Sequence, residues 1–394
     1  MLTVLCIATY RKGDEFLREC RRQGCRVLLL TEERLRDADW PRDAIDAFYY
    51  VRRGMPEADI RKGAAYLART ERLDRIVALD DFDVETAAML REYLHVPGMG
   101  ETTGRAFRDK LAMRVRARAA AIPCPDFVHP VNNDAINAWT ARVAPPWVLK
   151  PRSQAAAIGI RKIASTTELW QTLEALGDDR PEYVLEQFVP GSVFHVDALV
   201  FNGKIVFAAA SRYGTPPLAV AHEGGIFVTR TLPDDDTTSA LKDTNARVLD
   251  SFGLLRGVSH TEFIRAEDGR ILFLETSARV GGAYIVDVIE AASGLNLWRE
   301  WARIEIAGEH GAYAPPAARH NYAGIVLSLA RQEEPDTSEY SDPEIVTRIR
   351  KRHHAGLIVA SMDEARVRRL LDSYVTRFSE DFHASAPPPQ RAVD

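Results

Sequence analysis

Short apolar runs alternate with amphipathic segments over the first hundred residues of the chain. Four apolar runs predict buried strands, at residues 2–8, 26–30, 47–51 and 75–79. Helical periodicity predicts three helices between and after them, at residues 13–24, 57–70 and 84–94. Strands that alternate with helices indicate βαβ units, so residues 1–100 are predicted to form a small doubly wound domain with a parallel sheet.

The pattern changes after residue 100 to a mixture of helices, hairpins and strands. Predicted helices cover residues 103–121, 132–144, 166–177 and 234–252. Predicted strands cover residues 147–150, 158–163, 183–189, 194–201, 204–210 and 226–231. Asn202-Gly203 between two of these strands is a strong hairpin signal. The mixture predicts an α+β region at residues 101–310, with subdomains at 101–185 and 186–310.

A second hairpin concentrates the polar chemistry of the chain. Two apolar runs at residues 258–264 and 271–277 flank a turn that contains Asp268-Gly269. Because side chains alternate along a strand, Glu275, Ser277 and Arg279 are predicted to share one face, with Glu262 beside them on the partner strand. Two carboxylates and an arginine on one face suit magnesium and a phosphoryl group.

The last part of the chain has weaker patterns. Residues 213–225 contain prolines and glycines and predict a mobile loop, and residues 283–306 predict one or two helices. An apolar run at 323–329 and a helical pattern at 362–374 predict a small C-terminal subdomain or lid at residues 311–384. Residues 385–394 are rich in alanine and proline and are expected to be disordered.

Composition excludes several classes of protein. The 394 residues are 46% hydrophobic and 27% charged, which is typical of a globular protein with a sizeable core. A formal net charge of −5 argues against nucleic-acid binding. The four cysteines have no zinc or redox spacing. The first residues lack the features of a signal peptide, and no stretch is long enough to span a membrane, so we expect a cytoplasmic protein without a membrane partner.

The central elements resemble the ATP-grasp superfamily. The resemblance rests on five features in the order that this superfamily has them: Asp109-Lys110, Lys150-Pro151, residues 186–191, Glu262, and residues 275–279. It covers roughly residues 109–307 and implies an N-terminal pre-ATP-grasp domain, an ATP-grasp fold and a small C-terminal subdomain. Any one of these features occurs by chance, whereas five in order make coincidence improbable.

The resemblance implies a set of ATP contacts. Lys110 and Lys150 would bind phosphates, as the compact charge of a lysine allows, and Ser153 would lie in the loop that covers them. The adenine would contact the Glu186 side chain, the Gln187 carbonyl and the Val189 amide. Relatives usually have a ribose-binding carboxylate where this chain has Val193, and His195 is predicted to replace it.

The resemblance also implies a metal and substrate site. Glu262 and Glu275 would hold Mg²⁺, with two ions expected, and Ser277 stands where relatives commonly have a third ligand, asparagine. Arg279 would stabilise the transferred phosphoryl group or acyl phosphate. The further substrate-binding candidates are Gly281 and Gly282, at the start of a helix, and His222 and Glu223, in the covering loop.

The predicted function is that of an ATP-dependent ligase that joins a small carboxylate to an amine through an acyl phosphate and releases ADP and phosphate. The alanine-containing loop at residues 152–159 resembles amino-acid and dipeptide ligases more than biotin carboxylase. Two alternatives stay open: a carboxylase-type enzyme that activates bicarbonate, and a regulatory protein that binds a nucleotide without catalysis. The superfamily suggests a homodimer.

Overall fold

The first hundred residues form a parallel sheet flanked by helices, as predicted. The computed structural model describes residues 1–155 and 157–384, except for the side chains of residues 221–223. Four parallel strands have the spatial order β3-β2-β1-β4: β1 (Thr3–Ala8), β2 (Arg26–Glu32), β3 (Ala47–Val51) and β4 (Arg75–Ala78). The helices are α1 (Asp14–Arg22), α2 (Glu57–Leu67) and α3 (Val84–Leu94). All six residues of β1 are buried, as expected of a strand covered on both faces.

A second sheet of four strands follows two short helices. The helices are α4 (Glu101–Ala106) and α5 (Lys110–Ala119). The strands have the order β5-β8-β6-β7: β5 (Phe127–Val128), β6 (Trp147–Pro151), β7 (Arg161–Ile163) and β8 (Tyr183–Gln187). They pair antiparallel, with helices α6 (Asn133–Thr140) and α7 (Thr166–Leu176) between them in the chain. The core between these helices and the sheet includes Trp139, Trp147 and Leu173.

The largest sheet is antiparallel and has eight strands. In chain order they are β9 (Gly191–Phe201), β10 (Lys204–Tyr213), β11 (Phe227–Thr231), β12 (Gly257–Ala266), β13 (Ile271–Ser277), β14 (Tyr322–Leu329), β15 (Ile345–Lys351) and β16 (His354–Ser361). Their spatial order is β13-β12-β9-β10-β11-β14-β16-β15. The remaining helices are α8 (Pro217–Glu223), α9 (Asp236–Phe252), α10 (Ile285–Ser293), α11 (Leu297–Ala307) and α12 (Glu364–Asp381). This α+β region after a doubly wound domain is the predicted fold class.

Strands β14, β15 and β16, from the region predicted as a C-terminal subdomain or lid, extend this sheet. β14 pairs with β11, and β16 pairs with β14, so the sheet continues across the predicted boundary at residue 310. Helix α12 packs on the added strands through a buried cluster that includes Leu371, Tyr374 and Phe378. The apolar run at 323–329 is therefore an interior strand of the main sheet. The predicted tail at 385–394 lies outside the described residues.

Two predicted elements differ from the structure. The predicted helix at 103–121 is broken, because Asp109 caps the N-terminus of α5 and accepts hydrogen bonds from the backbone N–H of Leu111 and Ala112. The predicted loop at 213–225 contains α8, whose first residue is Pro217. Proline is favoured at the first helical position, so the prolines here start a helix and do not exclude one. Within the described part of the chain, no helix is long and apolar enough to cross a membrane.

We expect Phe378→Ala to lower the free energy of unfolding by about 3–5 kcal/mol, because it opens a cavity in the cluster under α12. Phe378 is 0% exposed. Chemical denaturation measures the change. Met362→Ala, at an 83% exposed side chain, is the control and should change stability by less than about 0.5 kcal/mol. Equal effects of the two substitutions would contradict the packing of α12 on the sheet.

Candidate active site

One cavity of about 870 Å³ lies where the three sheets meet. The carboxyl end of the parallel sheet, β6 and β8 of the second sheet, and the β12–β13 hairpin all contribute to its walls. Eleven of the predicted site residues line it: Lys110, Lys150, Glu186, Gln187, Val189, Glu262, Glu275, Ser277, Arg279, Gly281 and Gly282. Residues that are up to 172 positions apart in the chain therefore share one enclosed space.

Lys110 is fixed at the start of α5 by contacts with the end of β6. Its backbone N–H donates to the Arg152 carbonyl at 3.0 Å, and the Arg152 guanidinium pairs with the capping Asp109. The Lys110 ammonium lies 2.9 Å from Glu275 Oε2 and donates to the Gln154 carbonyl at 2.6 Å. The ammonium group is thus held between the β13 strand and the loop after β6.

Lys150 at the end of β6 forms a buried ion cluster with Glu186 of β8. Lys150 Nζ lies 2.8 Å from Glu186 Oε2, and Arg114 of α5 lies 3.0 Å from Glu186 Oε1. Burial raises the pKa of Glu186, but Arg114 and Lys150 outweigh it, and the pKa is lowered overall. Two cations thus lie beside the carboxylate, and its contact with adenine stays a prediction. Glu186, Gln187 and Val189 all line the cavity.

The predicted carboxylate pair is formed by register. Glu262 of β12 lies directly opposite Glu275 of β13, and His260 lies opposite Ser277. Side chains that oppose each other in antiparallel strands share a face, which confirms that Glu262, Glu275 and Ser277 are neighbours. Burial raises the pKa of Glu275, but Lys110 more than compensates and lowers it, so this carboxylate is ionised at neutral pH.

A hydrogen-bond network beneath Glu262 was not predicted from the sequence. Tyr213 Oη donates to Glu262 Oε1 at 2.8 Å, and His260 Nε2 lies 3.5 Å from the same oxygen. His260 Nδ1 in turn bonds Asp197 Oδ1 at 2.8 Å. Burial lowers the pKa of His260, but Asp197 raises it to about 9, so the ring is cationic at neutral pH. These contacts fix the orientation of the Glu262 carboxylate.

The predicted ribose contact of His195 is wrong in this structure. The side chain is 0% exposed and does not line the cavity. Its Nδ1 bonds Asp197 Oδ2 at 2.6 Å and its Nε2 bonds Thr229 Oγ1 at 2.7 Å. His195 therefore belongs to the network behind Glu262. The signal in the sequence was the pair of alternating motifs His195-x-Asp197 and His260-x-Glu262, which place polar side chains on one face of adjacent strands.

The segment after β13 brings Arg279 and the two glycines to the cavity. Arg279 Nη1 donates to the Val280 carbonyl at 2.8 Å, and 18% of the side chain is exposed. A Cβ atom at Gly281 would lie 2.9 Å from Asp197 Oδ1 and 3.0 Å from His260 Nδ1. The buried network therefore leaves no space for a side chain at position 281, whereas a Cβ at Gly282 would meet nothing within 4 Å.

Three further predicted site residues are not among the side chains described as lining the cavity. Ser153 is not part of the cavity lining, although its neighbours Gln154 and Ala155 are, and its carbonyl accepts a hydrogen bond from Arg108. His222 and Glu223 are at the end of α8, and their side chains lie outside what the structure describes. The same helix nevertheless borders the cavity through Leu218 and Val220.

The end of the cavity next to Tyr213 is apolar. The Tyr213 and Phe227 rings pack edge to face with centroids 5.8 Å apart, and Phe227 pairs with Leu327 on the next strand. Leu218 and Val220 of α8 also line the cavity. Apolar side chains therefore contribute to the lining together with the charged groups.

Comparison with known proteins agrees with this geometry. Residues 143–287 match the family model for the ATP-grasp domain, so the chain carries an ATP-grasp domain. An L-arginine-specific L-amino acid ligase from Bacillus subtilis is 26% identical over 240 residues, which are 59% of this chain and 58% of that protein. A D-alanine–D-alanine ligase B from Pseudomonas putida is 27% identical over 259 residues, covering 62% of this chain and 80% of that protein.

A solved structure extends the likeness to the whole fold. The L-amino acid ligase from Bacillus licheniformis superposes with a TM-score of 0.75 at 18% identity and covers 97% of this chain and 98% of that chain. This likeness establishes the arrangement of the sheets. The sequence match to the Bacillus subtilis protein spans little more than half of that protein's length, 58%.

We expect Glu186→Gln to lower the free energy of unfolding by about 3–5 kcal/mol, because it leaves two buried cations without a counter-charge. Glu186 is 1% exposed and Arg114 is fully buried. Urea denaturation of the nucleotide-free protein measures the change. Glu174→Gln, on the exposed side of α7, is the control and should be nearly neutral. A loss below about 1 kcal/mol at Glu186 would contradict a compensating role for this carboxylate.

Proposed function

We propose that this protein is an ADP-forming ligase that joins a small carboxylate to an amine. The observation that carries the proposal is the convergence of Lys110, Lys150, Glu262, Glu275 and Arg279 on one cavity. Transfer of a phosphoryl group from ATP to a carboxylate requires charge neutralisation and orientation. Two lysines, two carboxylates and an arginine can provide both.

The two lysines would bind the phosphates of ATP. Each is paired with a carboxylate in this structure, Lys110 with Glu275 and Lys150 with Glu186. Binding of the nucleotide would replace the first pair, so that Lys110 contacts phosphate oxygens and Glu275 is released. Because Lys110 is already buried, its ammonium group loses little further hydration when it exchanges the carboxylate for phosphate.

Glu262 and Glu275 fit a magnesium site. They face each other across the β12–β13 pair, and both offer the carboxylate oxygens that Mg²⁺ prefers, with the nucleotide and water as further ligands. Ser277 is close enough in register to contribute a hydroxyl or to hold a water. When bound, the ion would neutralise the charge that develops on the transferred phosphoryl group.

The chemistry has two steps. A carboxylate oxygen of the acid attacks the γ-phosphorus of ATP, and the bond between this phosphorus and the β,γ-bridging oxygen breaks. The products of this step are an acyl phosphate and ADP. The amine then attacks the acyl carbon, loses a proton, and expels phosphate to give an amide. Arg279 would stabilise the negative charge in both steps from its position beside Ser277 and the glycines.

The walls of the cavity suit a reactive intermediate and an apolar acid. Acyl phosphates are hydrolysed by water, and α8, which lines the cavity through Leu218 and Val220, would exclude solvent. The wall of Phe227, Leu327, Leu218 and Val220 would receive the apolar part of the acid. We therefore place the side chain of an apolar amino acid against this wall.

The first experiment supplies ATP, Mg²⁺ and pairs of amino acids and measures the nucleotide, phosphate and amide products. We expect ADP, phosphate and amide in equal amounts, with turnover for leucine or phenylalanine as the acid at least about tenfold above that for aspartate or arginine. AMP as the product, or no ADP with any acid, would contradict a ligase of this type. Turnover that requires bicarbonate and forms no amide would indicate the carboxylase alternative.

We expect Glu275→Gln to lower ADP formation about 100-fold or more, since a ligand of the metal is lost. Glu267→Gln is the control, because Glu267 lies in the exposed turn of the same hairpin. Steady-state kinetics and nucleotide binding are measured on both variants. Tight ATP binding with turnover that Glu275→Gln leaves unchanged would indicate a nucleotide-binding regulatory protein instead.

A further inference from the structure

Three buried carboxylates follow β4 at the carboxyl end of the parallel sheet, and two of them have structural partners. Asp80 accepts a hydrogen bond from the Phe82 backbone at 2.9 Å and pairs with Lys12. Asp83 accepts hydrogen bonds from the Thr9 backbone N–H and hydroxyl at 2.9 and 2.8 Å. These contacts fasten the turn to the β1 end of the same sheet. Asp81 takes no part in them.

Asp81 instead contacts two arginines that belong to the ATP-grasp region. Its Oδ2 lies 3.1 Å from Arg108 Nη1, and its Oδ1 lies 4.0 Å from Arg279 Nε. Asp81 is only 6% exposed, and Oδ1 has no hydrogen-bond donor among the residues that the structure describes. One carboxylate oxygen is thus held by Arg108, and the other faces Arg279.

Arg108 links this carboxylate to the loop that follows β6. Its guanidinium lies over the Phe82 ring, 4.5 Å from the centroid, and donates a hydrogen bond to the Ser153 carbonyl. With 5% of its surface exposed, Arg108 is slightly more buried than Asp81. A continuous chain of contacts therefore runs from the loop beside Lys150 through Arg108 and Asp81 to Arg279.

The charge on Asp81 also stabilises the cationic form of Arg279. Burial lowers the pKa of the Arg279 guanidinium, but Asp81 gives the largest opposing effect, followed by Asp80 and Glu275, so that the pKa is raised. An arginine near an anionic transferring group must keep both its charge and its direction. Asp81 lies on the side of Arg279 that faces the parallel sheet, whereas Glu275 belongs to the hairpin itself.

We propose that Asp81 is a positioning residue that holds Arg279 in place for the reaction and, through Arg108, couples it to the loop after β6. The inference rests on the proposed function, because Arg279 is the group that would stabilise the transferred phosphoryl and acyl phosphate. It gives the parallel sheet a part in the chemistry through Arg279. Loss of Asp81 would leave Arg279 present but free to adopt directions that do not face the acyl phosphate.

The first test compares the kinetics of Asp81→Asn, Asp81→Glu and wild type. We expect Asp81→Asn to lower kcat about 10–100-fold, with the KM for ATP changed less than about threefold, because a small misplacement of a catalytic group affects turnover more than binding. Asp81→Glu keeps the charge and should recover most of kcat. Asp83→Asn is the matched control, since it alters a buried aspartate of the same turn, and should behave as wild type.

A double-mutant cycle separates positioning from general destabilisation. If Asp81 acts through Arg279, adding Asp81→Asn to Arg279→Gln should not lower kcat further, because the guanidinium group that Asp81 positions is already absent. Multiplied losses in the double variant would overturn the proposal, as would an Asp81→Asn enzyme with wild-type kcat. If the Asp81→Asn protein does not fold, Asp81→Glu is measured in its place. A kcat of Asp81→Glu as low as that of Arg279→Gln would also overturn the proposal.

An NMR readout keeps this test apart from the test of the proposed function. The Arg279 Nε–H signal, assigned by its loss in Arg279→Lys, should exchange with water at least about tenfold faster in Asp81→Asn than in wild type or Asp83→Asn. An unchanged rate would overturn the positioning role even if the protein is a ligase. A wild-type protein without ligase turnover would refute the proposed function, while faster exchange would still establish that Asp81 holds Arg279.

Discussion

The neutralisation of buried charge in one cavity is the constraint on which the rest of the structure depends. Lys110 and Lys150 are almost completely removed from water, and each needs a carboxylate within hydrogen-bond distance. Those carboxylates come from β13 and β8, which belong to different sheets, and the lysines come from α5 and β6. The fold must therefore bring four elements to one point, and the cap of Asp109 and the clamp of Arg152 fix that point.

The same requirement extends outward from the cavity. Glu262 is oriented by Tyr213 and by His260, whose charge is in turn balanced by the buried Asp197. Asp197 also bonds His195, so that side chains from three strands of the eight-stranded sheet form one hydrogen-bond network. On the opposite side, Asp81 connects the parallel sheet to Arg279. Residues of the eight-stranded sheet and of the parallel sheet therefore both line the cavity.

Much of this arrangement followed from local sequence patterns, and the remainder depended on distant contacts. The β12–β13 hairpin was predictable because Asp268-Gly269 sets the turn and alternation places Glu275 and Ser277 on one face. The burial of His195 was not, because its partner Thr229 lies two strands away in the sheet, and only the strand order brings the two side chains together. The pairing of β14 with β11 and the contact of Asp81 with Arg279 likewise join residues 94 or more positions apart, for which no local pattern exists.

Transfer of ¹⁸O from the acid to phosphate tests the central claim most directly. In an acyl phosphate, a carboxylate oxygen forms the bond to phosphorus, and the attack of the amine on carbon leaves that oxygen with the departing phosphate. An acid labelled with ¹⁸O in its carboxylate should therefore yield inorganic phosphate that carries one ¹⁸O atom per amide formed, as measured by mass spectrometry. Label in AMP, or inorganic phosphate without label, would contradict the proposed reaction.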